Sequence, residues 1–379
     1  MKNILEQANL VLLKELDLLI TSFQNRQDIA QELLPYYEKV FEACLQLRNE
    51  IQQSIKDLRR RRGNILEEIL SDTQRHTREF YLYNYRLAIP IRRYLPSDRL
   101  CLKILHWLHS IHTRTTEIPC GFCDGDVGIW PEPTYPVTYF MPSSAQYGLL
   151  YLPLFFHEFG HLLYACHQPE LDDLVKDLQT EISTLLEPIV QRDDLQAQQD
   201  AKKRRIIVET WYVWIQELFC DAVGFQIGGL CFTHAFSMYL KMLGRDRFAL
   251  SFEKLAYSPH PITWLRVHLL SNLLERYELA EYAKKLENEW KTIAEALSIR
   301  EDYYGFYLDE FLDPVLATIT DMLTETEPYQ FGNHEITNFD LNLQEMSPIH
   351  LLNAAWFKFH ENPKTYFDWE KQAISEFLD

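Results

Sequence analysis

The sequence predicts a mostly α-helical protein with a small β element, an α+β arrangement, and two observations carry that prediction. Apolar residues recur three or four apart over most of the 379 positions, the period of an amphipathic helix. Between about Pro119 and Gly148 the pattern gives way to glycine, proline and aromatic residues around one β-favouring run, Val137-Thr138-Tyr139-Phe140-Met141, set between Pro136 and Pro142. Prolines at both ends suit an edge strand of a small sheet. Composition agrees, since 47% hydrophobic and 24% charged residues can bury a substantial core, and the length suggests two or three units. The pattern divides into an N-terminal helical region (1–118), a central core (119–274) and a C-terminal helical region (275–379).

In chain order, Leu10, Leu13, Asp17 and Ile20 begin a first helix, Ile29 to Leu58 forms a second and Ile65 to Leu87 a third. Gly63-Asn64 and Ala88-Ile89-Pro90 read as the breaks. The run Arg59 to Arg62 reads as a solvated helix end, where cations complement the dipole; the alternative is a site for an acidic partner. His106, His109 and His112, three apart, drift around a helix and read as exposed or core-edge histidines rather than ligands. Cys120-Gly121-Phe122-Cys123 reads as a pair of unligated loop thiols, the alternatives being half of a structural zinc site completed by His109 and His112, or a redox pair. Further on come a helix near Leu171 to Leu186, a linker-like stretch from Arg192 to Asp200, and a long helix opened by Lys202 to Arg205. Gly224, Gly228 and Gly229 end that helix or allow close packing against it. Met238 to Phe252 reads as a helix and loop, 275–300 as a charged helix, and Asp313-Pro314 and Ser347-Pro348 as helix starts.

Charge and cysteine usage limit the function classes. A net charge of −18 argues against an unspecialised affinity for nucleic acid or an anionic membrane. Lys2, Glu6, Lys14, Glu15 and Asp17 interrupt the first twenty residues, which excludes a signal peptide, and the longest apolar run, Tyr147 to Phe156, is too short to span a bilayer. Seven scattered cysteines suit reduced thiols, so a cytoplasmic protein is expected.

The functional signal lies in Phe155-Phe156-His157-Glu158-Phe159-Gly160-His161-Leu162-Leu163, an H-E-x-x-H motif within an apolar run. Residues four apart share a helix face, so His157 and His161 can present two imidazole nitrogens to one Zn²⁺ with Glu158 beside them. A third ligand is offered by Trp214-Ile215-Gln216-Glu217-Leu218-Phe219-Cys220-Asp221, where Glu217 and Asp221 are again four apart on an apolar helix. Buried carboxylates are rare unless paired or metal-bound. Two His and one Glu leave a fourth tetrahedral position open, the arrangement of a catalytic zinc site, and Asp221 then accepts the free N–H of a ligating imidazole.

H-E-F-G-H followed by E-x-x-x-D resembles the gluzincin metalloproteases. A third element, Ser258-Pro259-His260-Pro261-Ile262-Thr263-Trp264-Leu265-Arg266, makes the chain similar to the HtpX-like and CAAX-prenyl-protease-like families over roughly residues 135–270. The resemblance implies a zincin-like core with helical flanks and a protein or peptide substrate. It also implies His260 as the oxyanion donor, with Arg266 supporting it; Tyr257 or Tyr212 are alternative donors. An edge strand just upstream of the zinc helix would capture substrate backbone by strand addition, although Ser143 to Gln146 equally suits a plain loop. The chain departs from those families in having no stretch that reads as a transmembrane helix and a single Pro after His260, so a membrane substrate is not implied. The reaction class is metal-assisted amide hydrolysis with Glu158 as general base, in a soluble endopeptidase whose helical flanks select substrates or bind a regulatory protein. The alternative is a helical interaction protein with a structural or latent zinc. An aminopeptidase is disfavoured because no Gly-x-Met-x-Asn run precedes the zinc helix.

Overall fold

Helices account for nearly all regular structure in the computed structural model, which describes residues 2–26, 28–60, 66–112, 114–115, 120–122, 127–130, 136–141, 148–187, 194–242, 251–298, 303–337, 339 and 346–378. The chain forms two compact units. The first comprises Met1–Ser110, Thr116–Gly125 and Thr134–Gln146; the second comprises Ile111–Thr115, Asp126–Pro133 and Tyr147–Asp379.

In the first unit, α1 (Lys2–Gln24), α2 (Leu34–Arg60) and α3 (Leu66–Leu82) pack together. Leu5, Leu12, Leu16, Leu19 and Phe23 of α1 are buried at three- and four-residue steps, as are Tyr36, Val40, Cys44, Leu47 and Ile51 of α2. Asn9 is buried among them because its amide nitrogen donates to Leu5 O (2.9 Å) and Thr73 Oγ1 (2.8 Å). Arg59, near the end of α2, pairs with Glu6 at 2.7 Å, while Arg61 and Arg62 lie outside the described residues. The expected break at Ala88-Ile89-Pro90 does not occur. A π-helical turn, Tyr83–Leu87, leads directly into α4 (Ala88–Arg93), so the helical backbone runs on through Pro90 just past the wide turn. After α5 (Arg99–Ser110) come the strands β1 (Cys120–Phe122), β2 (Gly128–Trp130) and β3 (Thr138–Phe140). Strands β1 and β3 pair in parallel within this unit, with Gly121 opposite Tyr139.

The second unit contains β2 and is built on a long helix. Helices α6 (Leu154–Cys166), α7 (Gln168–Leu185) and α8 (Asp194–Gly228) are followed by α9 (Leu230–Met242), α10 (Phe252–Leu255), α11 (Thr263–Arg276) and α12 (Ala280–Ala296). The chain ends with α13 (Leu312–Thr326), α14 (Asn333–Thr337), α15 (Pro348–Glu361) and α16 (Pro363–Leu378). Helix α8 is the spine, in contact with α6, α7, α9, α11, α13 and α15. Most of its second half is buried, from Trp211 and Trp214 through Leu218 and Phe219 to Val223 and Ile227. Gly229, at φ +59°, makes the turn into α9, and buried Asn353 of α15 closes the corner by donating to Gly228 O (3.1 Å) and accepting from Cys231 N (2.8 Å). Ser347 caps α15 by accepting from His350 N at 3.1 Å. No helix among the described residues is long and apolar enough to cross a membrane. The arrangement is that of a zincin-like α+β core with helical flanks.

Candidate metal centre

Helix α6 brings the first three groups. It is buried around nearly its whole circumference, Phe155, Phe156, Phe159 and Leu162 included, so His157 and Glu158, on the same helix, are also buried. Gly160 lets it lie directly against α8, since a Cβ there would stand 2.7 Å from the Cα of Cys220. That approach sets Glu217 and Asp221 of α8 opposite the α6 histidines.

The ligand atoms of His157, His161 and Glu217 all lie within 4.8 Å of one another. His157 Nε2 is 3.6 Å from one Glu217 oxygen and His161 Nε2 is 3.6 Å from the other. Ligand atoms about 2.1 Å from a tetrahedral Zn²⁺ stand about 3.4 Å apart, and each imidazole already stands near that spacing from one oxygen of Glu217. Glu217 Oε2 supports the fit. It is buried and has no hydrogen-bond partner although four positively charged or imidazole groups surround its carboxylate.

Electrostatics holds these groups in the forms that ligation needs. Burial alone would raise the Glu217 pKa, but His260, Arg266 and the two α6 histidines hold it well below the usual carboxylate range. Burial, with the His157 charge, pushes His161 down to about 4, so it is neutral near pH 7. His157 is the exception: burial opposes its cation, yet Asp221 and Glu217 outweigh that and hold it above its ordinary value. Burial raises the Glu158 carboxyl.

Asp221 Oδ1 stands 2.9 Å from His157 Nδ1, although that nitrogen does not meet the angular requirement of a hydrogen bond. The same carboxylate receives a two-pronged contact from Arg266, Nε to Oδ2 at 2.7 Å and an Nη to Oδ1 at 2.7 Å. Arg266 also reaches to within 3.5 Å of Glu217. The arginine therefore braces the two α8 carboxylates, whereas the resemblance implied support of His260. His260 itself places Nδ1 3.0 Å from Glu217 Oε2, off hydrogen-bond alignment, with 42% of its side chain exposed. Its loop is tied down twice: Ser258 Oγ donates to His260 O (2.6 Å), and Trp214 Nε1 donates to Ser258 O (3.2 Å).

These residues open on a cleft of about 650 Å³ lined by His157, Glu158, His161, Glu217, His260 and Arg266 among others. Tyr212 also lines it; Tyr257 does not and is 88% exposed. Among the described strand residues, the cleft is lined by Gly128 and Ile129 of β2 rather than by Val137 to Met141, which sit with β1 in the other unit. The Ser143 to Gln146 alternative lies outside the described residues. So does Cys123, while the proposed partners of the cysteine pair are engaged elsewhere. His109 Nε2 is 2.8 Å from Tyr139 OH, and His112 Nε2 accepts from Tyr329 N at 3.3 Å.

Some site residues were missed. Phe236 of α9 lies over His157 (ring centroids 5.9 Å, 20° apart) and carries the Arg266 guanidinium 4.7 Å above its ring. Nothing local in the sequence marks it. Cys220, with Sγ 3.3 Å from His161 Nδ1, sits inside the E-x-x-x-D stretch, one residue before Asp221, and was legible there.

A His-x-x-x-His pair, His157 buried and His161 partly so, joined by a buried Glu from a second helix defines a site of gluzincin type able to hold a metal ion. No protein-family model matches the chain, and neither curated proteins nor solved structures give a match. The narrower likeness to HtpX-like and CAAX-prenyl-protease-like enzymes rests on the three motifs alone.

Proposed function

We propose that the protein is a zinc-dependent metallopeptidase, an endopeptidase acting on a protein substrate in the cytoplasm. The carrying observation is that His157, His161 and Glu217 converge at spacings suited to one tetrahedral ion while Glu158 lines the same open cleft. A Zn²⁺ bound there supplies Lewis-acid polarisation of a peptide carbonyl and a water acidified toward neutrality. Glu158 takes the proton of the attacking water and passes it to the leaving amine; its burial, by raising its pKa, suits it to both halves of that transfer. His260, partly exposed at the cleft and anchored through its backbone, donates to the oxyanion. Asp221 orients His157, and Arg266 holds Asp221 in place. The division into catalytic core (119–274) and flanking regions is a functional one, in which the C-terminal helices take regulatory or selective contacts.

The alternative of an interaction protein with a structural zinc needs no general base, and Glu158 at an open cleft favours hydrolysis. The deciding experiment compares wild type with Glu158→Gln for zinc content and for proteolysis in cells. Hydrolysis should fall to background in the variant with zinc near one per chain in both. Equal product profiles from the two proteins would sink the peptidase reading.

A further inference from the structure

Beyond the metal ligands the cleft is lined by Tyr164 of α6, Gln168 at the start of α7, and Tyr212 and Gln216 of α8. Their polarity is settled by what stands behind them. Asp172 of α7 accepts from both phenols on one oxygen, Tyr164 OH at 2.6 Å and Tyr212 OH at 3.0 Å. A phenol has a single hydrogen, so each hydroxyl has only lone pairs left for a ligand. Gln168 turns its amide nitrogen to the other Asp172 oxygen at 3.5 Å, and Gln216 donates to Tyr212 O at 3.1 Å. Carboxylates and carbonyls only accept, so the nitrogen ends must face them, and the amide oxygens are the ends turned away. All four residues therefore meet a ligand chiefly as acceptors, and Tyr164, Tyr212 and Gln168 have the Asp172 carboxylate one bond behind.

Asp172 is balanced by Lys176 only at longer range. Among the described residues no cation lies within ion-pair distance of it, and Lys176, one turn along the same helix, is paired with Asp173 at 2.8 Å. Tyr164 is three residues from the ligand His161 and Tyr212 five from Glu217, or about 4.5 and 7.5 Å along their helices. An extended peptide advances about 3.3 Å per residue. Resting on the peptidase reading, we propose that this arm is a subsite for a basic side chain, lysine or arginine, one or two residues from the scissile bond.

The test uses the zinc-loaded protein and a positional peptide library with one residue fixed as Lys, Arg, Leu or Glu. Peptides with Lys or Arg at the favoured position should be cleaved with kcat/KM roughly 10- to 100-fold above Leu, the range of a charge-assisted hydrogen bond, and Glu should be poorest. Asp172→Asn and Tyr212→Phe should each lose most of that preference with zinc content unchanged. Binding of the same peptides to the Glu158→Gln form, read by fluorescence anisotropy, keeps the subsite testable apart from catalysis. Equal binding of Lys, Leu and Glu peptides, no binding of any, or a preference untouched in both subsite variants overturns the proposal. Selective binding of basic peptides by a wild-type protein that cleaves none upholds the subsite and overturns the peptidase reading.

Discussion

Arg266 is buried, and its guanidinium is the only described group that grips Asp221 at two points. Removing it leaves two buried carboxylates, Asp221 and Glu217, balanced only by the neighbouring imidazoles. Arg266→Ala should cost about 3–5 kcal/mol of stability, the usual penalty for breaking a buried pair from one side. It should also weaken zinc binding, because Asp221 no longer holds the His157 ring. Arg266→Lys restores the charge but not the fork, and should recover little. Chemical denaturation and a zinc titration check this; unchanged values for both in the Ala variant would make Arg266 a packing residue. His112 makes a different prediction at the same scale. Burial lowers it to about 4, and its Nε2 accepts from Tyr329 N while the ring packs on Phe159 of the zinc helix, centroids 4.7 Å apart. An unfolded histidine titrates near 6.5, so between about pH 6.5 and 4 the unfolded chain binds more protons than the folded one. Stability from this group is complete above about pH 6.5 and is lost as pH falls toward 4. His112→Gln should flatten the acid side of the stability profile, and an acid limb as steep as wild type would exclude His112 as its source.

The approach of α6 to α8 decides whether the ligands meet, and Gly160 controls it. Gly160→Ala would put a Cβ 2.7 Å from a backbone atom, Cys220 Cα, and 3.0 Å from its Cβ, contacts that no side-chain rotation relieves. The helices must separate, carrying His157 and His161 away from Glu217. A stability loss of about 1–3 kcal/mol, as for other overpacked sites, should accompany a disproportionate loss of zinc affinity. Normal zinc uptake by the alanine variant would show that the helix spacing is not what sets the site. The H-E-x-x-H and E-x-x-x-D spacings made both helices and five of their site residues legible, because helical geometry over four residues is local. Phe236 over His157 is a contact between α6 and α9, set by tertiary packing that no local pattern encodes. Likewise the fork from Arg266 to Asp221 spans 45 positions, and spacing alone gave no reason to join them. Pro90 suggests a break in the sequence because nothing there shows the π turn ahead of it, through which the helix continues past the proline.

At the scale of the whole molecule, all three ligands belong to the second unit and none to the first. Glu217 comes from the helix on which α7, α9, α11, α13 and α15 also pack, so an ion joining α6 to α8 restrains the framework of that unit. In the unfolded chain His161 and Glu217 are 56 positions apart, so a zinc ion held by both would stabilise the folded form by mass action, about 2.7 kcal/mol at a free concentration one hundred times Kd. For a unit of this size that corresponds to roughly 5–10 °C in Tm. The first unit gains nothing directly, since its core is made by α1, α2 and α3 with Leu16, Phe23, Tyr36 and Leu47 buried among them. The aromatic residues allow the two units to be followed separately. Of the eight tryptophans only Trp107 falls in the first unit, so tryptophan fluorescence reports the second, whereas far-ultraviolet circular dichroism reports helices in both. A strong chelator should therefore lower the melting temperature seen by fluorescence by roughly 5–10 °C and shift only part of the dichroism transition. Coincident shifts of equal size would mean that the units unfold as one cooperative block. A fluorescence transition that chelation does not move would argue that His157, His161 and Glu217 hold no ion tightly enough to matter for folding.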